Sequence, residues 1–453
     1  MKKIIYSALF IFGLLNGYAQ CWEKISARNG QSVSIKEDGS LWTWGYNPEG
    51  QLADGTTTNR NSPTLVAGNF DWKEITTGYN HMLGIKLDGS LWAWGSNSSG
   101  QLGNDGFTGV HTPIQIGTAT NWAKVAGGAY HSLAIKTDGT LWAWGSNYAG
   151  ELGDGTLVIK NHPIQIGTST NWVSISAGQQ TSFGIKADGT LWAWGSADYG
   201  QLGTLGNTTF PTQVGTDTNW TLVNAGYHHT VGIRTDGTLW TWGWNLHGQL
   251  GNNTNDDSYE PIQIGTGQWL NANAGGYHTA AIKSDGTLWT WGSNSLGQLG
   301  IGSATITSKL IPTQVGAGRN WVDIQLSYAH TLALNSNKNL FAFGYNDDGR
   351  LGLGDNQIRR SPAEVICTQL GSNDFTNNEG LVLYPNPTKH YLNVKASPNV
   401  VFVKGQIFDV TGKAVSVSVN GFEGIDIQTL QNGIYFLQIT TIAETHQLKF
   451  VKI

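Results

Sequence analysis

The chain has 453 residues, enough for two or three ordinary domains or for one large closed architecture with a small one. It is 39% hydrophobic but only 13% charged and contains 61 glycines, a composition that favours many short strands joined by tight turns over long salt-bridged helices. This composition predicts an all-β protein. Because the net charge is only -5 and no run of lysine or arginine could neutralise a row of phosphates, we expect no nucleic-acid partner.

Residues 1–19 have the composition of a secretory signal peptide. Two lysines precede an apolar run over residues 4–15, and a small-x-small cleavage site ends at Ala19. The run is too short to span a membrane, and no later apolar stretch is long enough for a transmembrane segment. Lipidation of Cys21 is not expected, because Gln20 is a poor residue before a lipidated cysteine. We therefore expect the mature chain to be exported.

One pattern then recurs with a period close to 50 residues. Leu-Trp-x-Trp-Gly follows an Asp-Gly turn six times, and a seventh copy has phenylalanine in place of both tryptophans. We expect the Asp-Gly pairs to form two-residue primed turns, which need positive φ. The copies are 48 to 52 residues apart, with turns at Asp38, Asp88, Asp138, Asp188, Asp236, Asp285 and Asn337. About four short strands per unit, repeated seven times, predict a seven-bladed β-propeller.

The repeat resembles the regulator of chromosome condensation repeat family. The likeness covers about residues 21–367 and rests on the string LWxWGxNxxGQLG, at residues 91–103, 141–153 (with glutamate for glutamine) and 288–300. The seventh copy departs from the pattern, with two phenylalanines and with Arg350 at the glutamine position. The resemblance implies a propeller domain, which we assign to residues 20–367.

Nineteen of the 20 tryptophans follow the period, and only Trp244 does not. Residues i and i+2 of a strand share a face, so Trp142 and Trp144 would both face a neighbouring blade. We interpret the periodic tryptophans as packing residues, with glycan stacking as the alternative. Five histidines at one repeat position are interpreted as hydrogen-bonding groups between blades and not as metal ligands: His81, His131, His229, His278 and His330.

Two cysteines, Cys21 and Cys367, bracket the repeat. In most internal units a proline lies nine residues before the next starting tryptophan, and in the last unit Cys367 follows that proline by five residues. On the same register Cys21 stands eight residues after the proline, so the two cysteines would face each other across a turn. We predict a disulfide that replaces the peptide connection of the other blade junctions, and two free thiols are the alternative.

The periodicity stops after Cys367, and residues 368–380 read as a polar linker. Residues 381–453 then alternate between strands and Asn-Pro or Thr-Gly turns, which predicts a small C-terminal β-sandwich. This segment resembles the C-terminal sorting domain of type IX secretion at residues 384–387, 409–412, 433–435 and 449–452. The resemblance implies passage through the type IX secretion machinery to a secreted or outer-membrane surface location. An ordinary adhesion-type sandwich is the alternative.

Segments that differ among the units carry the candidate binding residues. They would occupy one end of the scaffold, where binding commonly resides. Trp244, with His247 and near His228, is the first candidate for an aromatic hot spot, and local packing is its alternative role. The other candidates are apolar, aromatic or cationic loop residues: Phe107, His111, Ile159, Phe210, Tyr259 and Arg359.

Three functions stay open at this stage. A non-enzymatic propeller that binds an unknown protein is the first expectation, and a glycan-binding propeller is the second. An enzyme, such as a hydrolase built from loop residues, is the third, since the chain contains no GxSxG, HExxH or GxxxxGK[ST] string. The family's nucleotide exchange activity is not expected, because an exported protein would not meet a nuclear GTPase. No catalytic residue, metal ligand or cofactor is predicted.

Overall fold

The structure is a computed structural model that describes residues 21–66, 71–204, 206–367, 381–384, 386, 388–396, 401–409, 414–421, 423–441 and 445–452. The predicted signal peptide and linker lie outside these residues. All regular elements of the described residues are β-strands, which confirms the expected all-β class. They divide into a set of four-stranded sheets and two smaller C-terminal sheets.

Seven groups of four consecutive strands each form an antiparallel sheet, here called a blade. Blades 1 to 3 contain β1 (Trp22–Arg28), β2 (Gln31–Lys36), β3 (Leu41–Gly45), β4 (Arg60–Leu65); β5 (Trp72–Thr77), β6 (His81–Lys86), β7 (Leu91–Gly95), β8 (Val110–Gln115); and β9 (Trp122–Gly127), β10 (His131–Lys136), β11 (Leu141–Gly145), β12 (Lys160–Gln165). Blades 4 and 5 contain β13 (Trp172–Ala177), β14 (Thr181–Lys186), β15 (Leu191–Gly195), β16 (Thr208–Gln213); and β17 (Trp220–Ala225), β18 (His229–Arg234), β19 (Leu239–Gly243), β20 (Ser258–Gln263). Blades 6 and 7 contain β21 (Trp269–Ala274), β22 (His278–Lys283), β23 (Leu288–Ser293), β24 (Ser308–Gln314); and β25 (Trp321–Leu326), β26 (His330–Asn335), β27 (Leu340–Gly344), β28 (Arg359–Val365).

The blades close into a ring around a central channel. The first strand of each blade contacts the first strand of the next, and β25 of blade 7 contacts β1 of blade 1. The prediction of a seven-bladed propeller is therefore confirmed. We call one end of the propeller the loop end, because it carries the connections from first to second and from third to fourth strand. The opposite end, with the Asp-Gly turns and the links between blades, is the turn end.

The Asp-Gly connections differ from the predicted two-residue primed turns. In blade 1 the Gly39 N–H donates to the Lys36 carbonyl and the Lys36 N–H donates to the Ser40 carbonyl, so three residues form the loop. Only Gly39 has positive φ, at 76°, whereas a primed turn of type I′ needs positive φ at both central residues. The prediction was wrong because Asp38 occupies a right-handed position, with its side chain accepting the Ser40 N–H.

Each of the seven junctions between blades has its own hydrophobic core. Between blades 2 and 3, Trp122 and Trp144 pack on Leu83 and Leu102, and Trp144 is 0% exposed. The second ring of every Trp pair is 0% exposed, which confirms its packing role. The first ring, Trp142 in blade 3, is only partly buried at the turn end.

A hydrogen-bond network accompanies each core. Between blades 2 and 3, the Gln101 carbonyl accepts bonds from Trp144 Nε1 and Ser132 Oγ, both at 2.8 Å. Because the Ser132 hydroxyl proton is used there, its oxygen accepts the N–H of His81 Nε2 at 3.1 Å. His131, His229, His278 and His330 bond Ser182, Thr279, Thr331 and Ser32 of the next blade in the same way. The structural prediction for the histidines is confirmed.

The junction between blades 7 and 1 repeats this network without a peptide connection. Arg350, at the glutamine position, accepts bonds on its carbonyl from Ser32 Oγ and Trp44 Nε1. A disulfide joins Cys21 to Cys367, whose Cα atoms are 6.1 Å apart. The disulfide thus takes the place of the peptide segment that joins the other neighbouring blades.

The C-terminal region forms two three-stranded sheets around a separate core. One sheet has the order β29-β30-β32 and the other β31-β33-β34. Leu392 and Val394 of the first sheet and Ile407 and Phe450 of the second belong to one cluster, as expected for a sandwich. The strands are β29 (Val382–Tyr384), β30 (Tyr391–Lys395), β31 (Phe402–Asp409), β32 (Ile425–Asp426), β33 (Gly433–Thr441) and β34 (Thr445–Lys452).

Candidate functional site

Nine aromatic rings form a continuous contact chain at the loop end of the propeller. We call this set the aromatic cluster: Tyr79, Tyr130, Tyr199, Tyr227, His228, Trp244, His247, Tyr277 and Tyr328. The chain runs from the tyrosines of the first loops, beside the channel, outward to blades 4 and 5. Centroids of neighbouring rings lie 4.8 to 6.4 Å apart.

The aperiodic tryptophan is the centre of the outer half of this cluster. The ring of Trp244 lies 5.4 to 5.9 Å from those of Tyr199, His228, His247 and Tyr277. The structure therefore brings together the three residues that the sequence singles out in blade 5. It adds Tyr199 from blade 4 and Tyr277 from blade 6, so the site spans three blades.

Local backbone bonds fix the position of Trp244. It follows β19 directly, and its N–H donates to the His228 carbonyl at 2.8 Å, which links the two loops of blade 5. The buried Asn245 side chain then donates to the carbonyls of Thr254 and Asp256 and holds the third-to-fourth-strand loop in place. Trp244 is thus a ring on an anchored loop, partly exposed to solvent.

Burial shifts the pKa of three rings of the outer part of the cluster, His228, His247 and Tyr277, toward their uncharged forms. Burial lowers the pKa of His228, against the opposing effect of the Asp198 charge, and burial also lowers the pKa of His247. Burial and a hydrogen bond with Tyr328 raise the pKa of Tyr277 to about 12. Burial thus favours the uncharged form of these three rings, and the faces of aromatic rings carry partial negative charge.

The channel below the cluster is closed by an arginine that only blade 1 supplies. Arg28 stands where most blades have glycine, and its Nη1 donates to the carbonyls of Gly127 and Ala177 across the channel. Burial lowers the pKa of Arg28, and its guanidinium lies 5.8 Å from the Tyr79 ring centroid. The guanidinium therefore separates the cluster from the channel interior.

A polar cavity of about 390 Å³ lies in the channel, lined by the first strands of all blades. Burial raises the pKa of Asp323 to about 6, and Asn271 Nδ2 donates to its Oδ1 at 3.0 Å. A second carboxylate of the lining, Glu74, forms a 2.6 Å ion pair with Lys24. Both carboxylates thus have polar partners from neighbouring blades.

The remaining predicted candidates lie on the loop end but outside the cluster. Phe107, Phe210 and Tyr259 are 55%, 60% and 52% exposed, on blades 2, 4 and 5. His111 packs over Gly50 of blade 1, and Arg359 is in a 2.5 Å ion pair with Asp355. The described contacts do not bring these five residues together.

Sequence reasoning missed the tyrosines of the cluster, although their pattern was visible. Tyr79, Tyr130, Tyr227, Tyr277 and Tyr328 each lie one or two residues before the repeated histidine, in the loop from first to second strand. In five blades this loop brings a tyrosine ring into contact with the rings of other blades. Their recurrence was the available signal.

In the described part of the chain, no three His, Cys, Asp or Glu side chains are grouped as metal ligands. The described strands and loops also include no helix with the length and apolar character needed to cross a membrane.

Family models match both the propeller and the C-terminal region of the chain. Residues 14–274 match the RCC1-like domain, and residues 285–334 and 321–350 match the regulator of chromosome condensation (RCC1) repeat. Residues 382–453 match the secretion system C-terminal sorting domain. No curated protein sequence matches the chain.

Solved structures with the same fold are distant in sequence. Prp20p from Saccharomyces cerevisiae, reported with its binding properties to Gsp1p and histones, is 18% identical, with 79% of this chain and 89% of Prp20p covered and a TM-score of 0.66. Human WBSCR16 is 22% identical, with 69% and 87% covered and a TM-score of 0.62. Yeast RCC1 (Prp20) bound to Kap60 is 18% identical, with 85% and 94% covered and a TM-score of 0.67. At such identities the similarity shows the fold alone.

Proposed function

Because the chain belongs to the RCC1-like domain family and ends in a secretion sorting domain, we propose that it is an exported, non-enzymatic protein that binds a protein partner through the loop end of its propeller. The sorting domain indicates export to the outer surface or beyond it. Prp20p, which shares the fold, has binding properties to Gsp1p and histones, so partner binding has a precedent on this scaffold. The identity of the partner does not carry over.

One observation carries the proposal: exposed apolar side chains gather on the loop end of four consecutive blades. In the described residues, blades 2 to 5 carry Phe107, Tyr130, Tyr148, Leu157, Val158, Tyr199, Phe210, Leu246 and Tyr259, each at least 38% exposed. The turn end has exposed apolar residues at Leu87, Val173 and Leu270 on blades 2, 4 and 6, and at Val322 and Ile366 on blade 7. A concentration of exposed apolar side chains at one end of a scaffold is typical of protein interaction sites, whereas a few such residues spread over the surface are ordinary.

The carboxylates that line the channel support the proposed absence of catalysis. Asp323 has an Asn271 partner and Glu74 has a Lys24 partner, as expected of side chains that line and stabilise a channel. Activity of the purified chain toward ester, peptide or glycosidic substrates would contradict this part of the proposal.

Glycan binding through Trp244 is the alternative. Sugars stack on free aromatic faces, but four rings already lie within 5.9 Å of the Trp244 ring centroid. Protein binding makes use of the wider apolar surface, and so is favoured over stacking at one ring.

Capture of surface proteins by the full mature chain tests the proposal. Substituting Phe107, Phe210 and Tyr259 by serine should reduce capture at least about tenfold, because these residues are exposed at the loop end. Leu87→Ser with Leu270→Ser removes apolar residues of similar exposure from the turn end and should leave capture unchanged. Purified partner must then bind directly with the same dependence. Equal loss with both variants, or polysaccharide binding abolished by Trp244→Ala, would overturn it.

A further inference from the structure

We propose that the surface around Trp244 recognises an arginine-bearing segment of the partner protein. This inference rests on the proposed function, since it names the chemistry of the partner. The surface, here called the acidic aromatic surface, comprises Asp198, Tyr199, His228, Trp244, His247, Asp256, Asp257 and Glu260. It combines aromatic rings with carboxylates that form no ion pair with the described residues.

The charge of this surface is one-sided. The loop-end segments of blades 4 and 5, residues 195–213 and 243–263, contain Asp198, Asp256, Asp257 and Glu260 but no lysine or arginine. All four acids are exposed. The ion pairs of the described residues include none of them.

The same loop in three other blades neutralises its own acid. Asp54 pairs with Arg60 at 2.6 Å in blade 1, and Asp154 pairs with Lys160 at 3.3 Å in blade 3. In blade 7, Asp355 pairs with Arg359. In blades 4 and 5 this loop has no lysine or arginine and carries its acids at other positions. The described residues therefore leave these carboxylates available to a cation of another molecule.

The acids lie on two sides of the ring cluster. Asp257 accepts the N–H of Asn245, the residue after Trp244, at 2.7 Å. Asp198 precedes Tyr199 in the chain, and its charge acts on His228. Carboxylates from blade 4 and blade 5 thus flank the same set of rings, and a guanidinium stacked on the rings would reach a carboxylate from either side.

The chain already uses cation–ring contacts of this kind inside its blades. At the turn end, Lys136 Nζ lies 3.9 Å from the Trp142 ring centroid and Arg234 lies 3.7 Å from that of Trp240. Every first ring of a Trp pair has such a cation. Among the described contacts, Trp244 and Tyr199 have ring neighbours and no cation.

Arginine fits this surface better than lysine. Its planar guanidinium stacks on an aromatic face and at the same time donates two parallel bonds to a carboxylate. A lysine ammonium offers one compact charge and is more strongly hydrated. We therefore expect arginine to be preferred where rings and carboxylates converge.

The test measures fluorescence anisotropy of labelled Gly/Ser peptides that carry three arginines, three lysines, three glutamines or three glutamates, with the full mature chain. The arginine peptide should bind at least about tenfold more tightly than the glutamine peptide, and binding should weaken about fivefold from 50 to 300 mM NaCl. The glutamate peptide should not bind. Equal binding of the arginine and glutamine peptides, or no binding of either, overturns the inference.

Matched variants separate this surface from general attraction. Trp244→Ala, and Asp198→Asn with Asp257→Asn, should each weaken arginine-peptide binding about five- to tenfold. Tyr391→Ala with Glu49→Gln removes an exposed ring from the C-terminal sandwich and an exposed acid from blade 1, and should leave it unchanged. Trp244→Phe should restore part of the binding. Equal effects of control and test variants would indicate non-specific charge attraction and overturn the inference.

The outcomes also distinguish this inference from the proposed function. If a partner is captured through Phe107, Phe210 and Tyr259 but the arginine peptide does not bind, the proposed function stands and this inference fails. If the arginine peptide binds at Trp244 but capture is insensitive to the loop end, the proposed function fails by itself.

Discussion

The blade junctions and the acidic aromatic surface use the same residue types in opposite ways. At a junction, the second tryptophan of the pair and the histidine recur in most blades, are fully buried, and bond a fixed partner in a neighbouring blade, as Trp144 and His81 do. At the surface, Trp244 and His247 occur once and are partly exposed. Recurrence therefore marks residues that hold the ring together, and departure from the repeat marks residues available to a partner. Junction substitutions should change stability, whereas surface substitutions should change binding.

Acid should produce the largest change, and it acts on the junctions. Burial lowers the pKa of His81, His131, His229 and His278 to about 3, and lowers that of His330 well below 6.5. With Nε2–H donated to the next blade, a second proton would have to enter at Nδ1, which is buried without a partner among the described residues. The folded protein thus resists protonation that the unfolded chain accepts below pH 6.5.

The sign of the pH effect follows from this difference. The stability is fully present above pH 6.5 and is lost as the pH falls toward 3, because the unfolded state then binds more protons. Below about pH 5.5, where the unfolded histidines are protonated, each contributes about 1.4 kcal/mol per pH unit and the five together about 7 kcal/mol per unit, and the slope is smaller nearer pH 6.5. Denaturant unfolding between pH 7.5 and 5 measures the slope.

A glutamine variant provides the control for the acid experiment. Gln31 occupies the histidine position in blade 1 and donates to the Gly78 carbonyl at 2.7 Å, so glutamine suits the site. His81→Gln should reduce the slope by about 1.4 kcal/mol per pH unit. A slope that is flat in the parent chain, or unchanged in the variant, would refute the assignment of neutral buried histidines.

Reduction of the disulfide should have the next largest effect. The bond between Cys21 and Cys367 closes a loop of 346 residues, and a chain-entropy view assigns about 6 kcal/mol to it, above the usual range. The parent chain under reductant and Cys21→Ser without it should lose the same free energy of unfolding. Reductant should not destabilise the variant further. An unchanged melting temperature of the parent on reduction would show that the junction needs no covalent closure.

Within a junction, the two rings of a Trp pair should differ. Trp144→Ala removes a fully buried ring and its bond to the Gln101 carbonyl, and should cost about 3 to 5 kcal/mol of unfolding free energy. Trp142→Ala removes a partly exposed ring that Lys136 covers, and should cost about half as much. Urea unfolding of both variants decides the comparison. Equal losses of unfolding free energy would show that the partial exposure of Trp142 does not reduce its contribution to stability.

These contrasts explain how far the sequence could predict the molecule. Seven copies of the pattern reveal the blades, six of them the paired tryptophans and five of them the histidine bonds, because each copy independently indicates the same contact. The acidic aromatic surface has no such repetition: Tyr199 meets Trp244 only because blade 4 stands beside blade 5. Which loop carboxylates form ion pairs likewise cannot be predicted from the sequence, because the pairing depends on the conformations of the loops. The prediction for the Asp-Gly turns was wrong because the same two residues occur both in two-residue turns and in three-residue loops.

The smallest stability effects should come from the acidic aromatic surface. Asp257→Asn keeps an oxygen that can accept the Asn245 N–H while removing the charge, so the free energy of unfolding should change by less than about 0.5 kcal/mol. Trp244→Ala loses ring contacts on a partly exposed loop and should cost about 1 kcal/mol. Urea unfolding of these variants, beside Trp144→Ala, gives the comparison directly. If Trp244→Ala destabilised the chain as much as Trp144→Ala, its ring would be a packing residue, and the distinction between recurring and unique tryptophans would fail. If it unfolds nearly as the parent does while losing the arginine peptide, Trp244 is kept for the partner, because the fold does not need it.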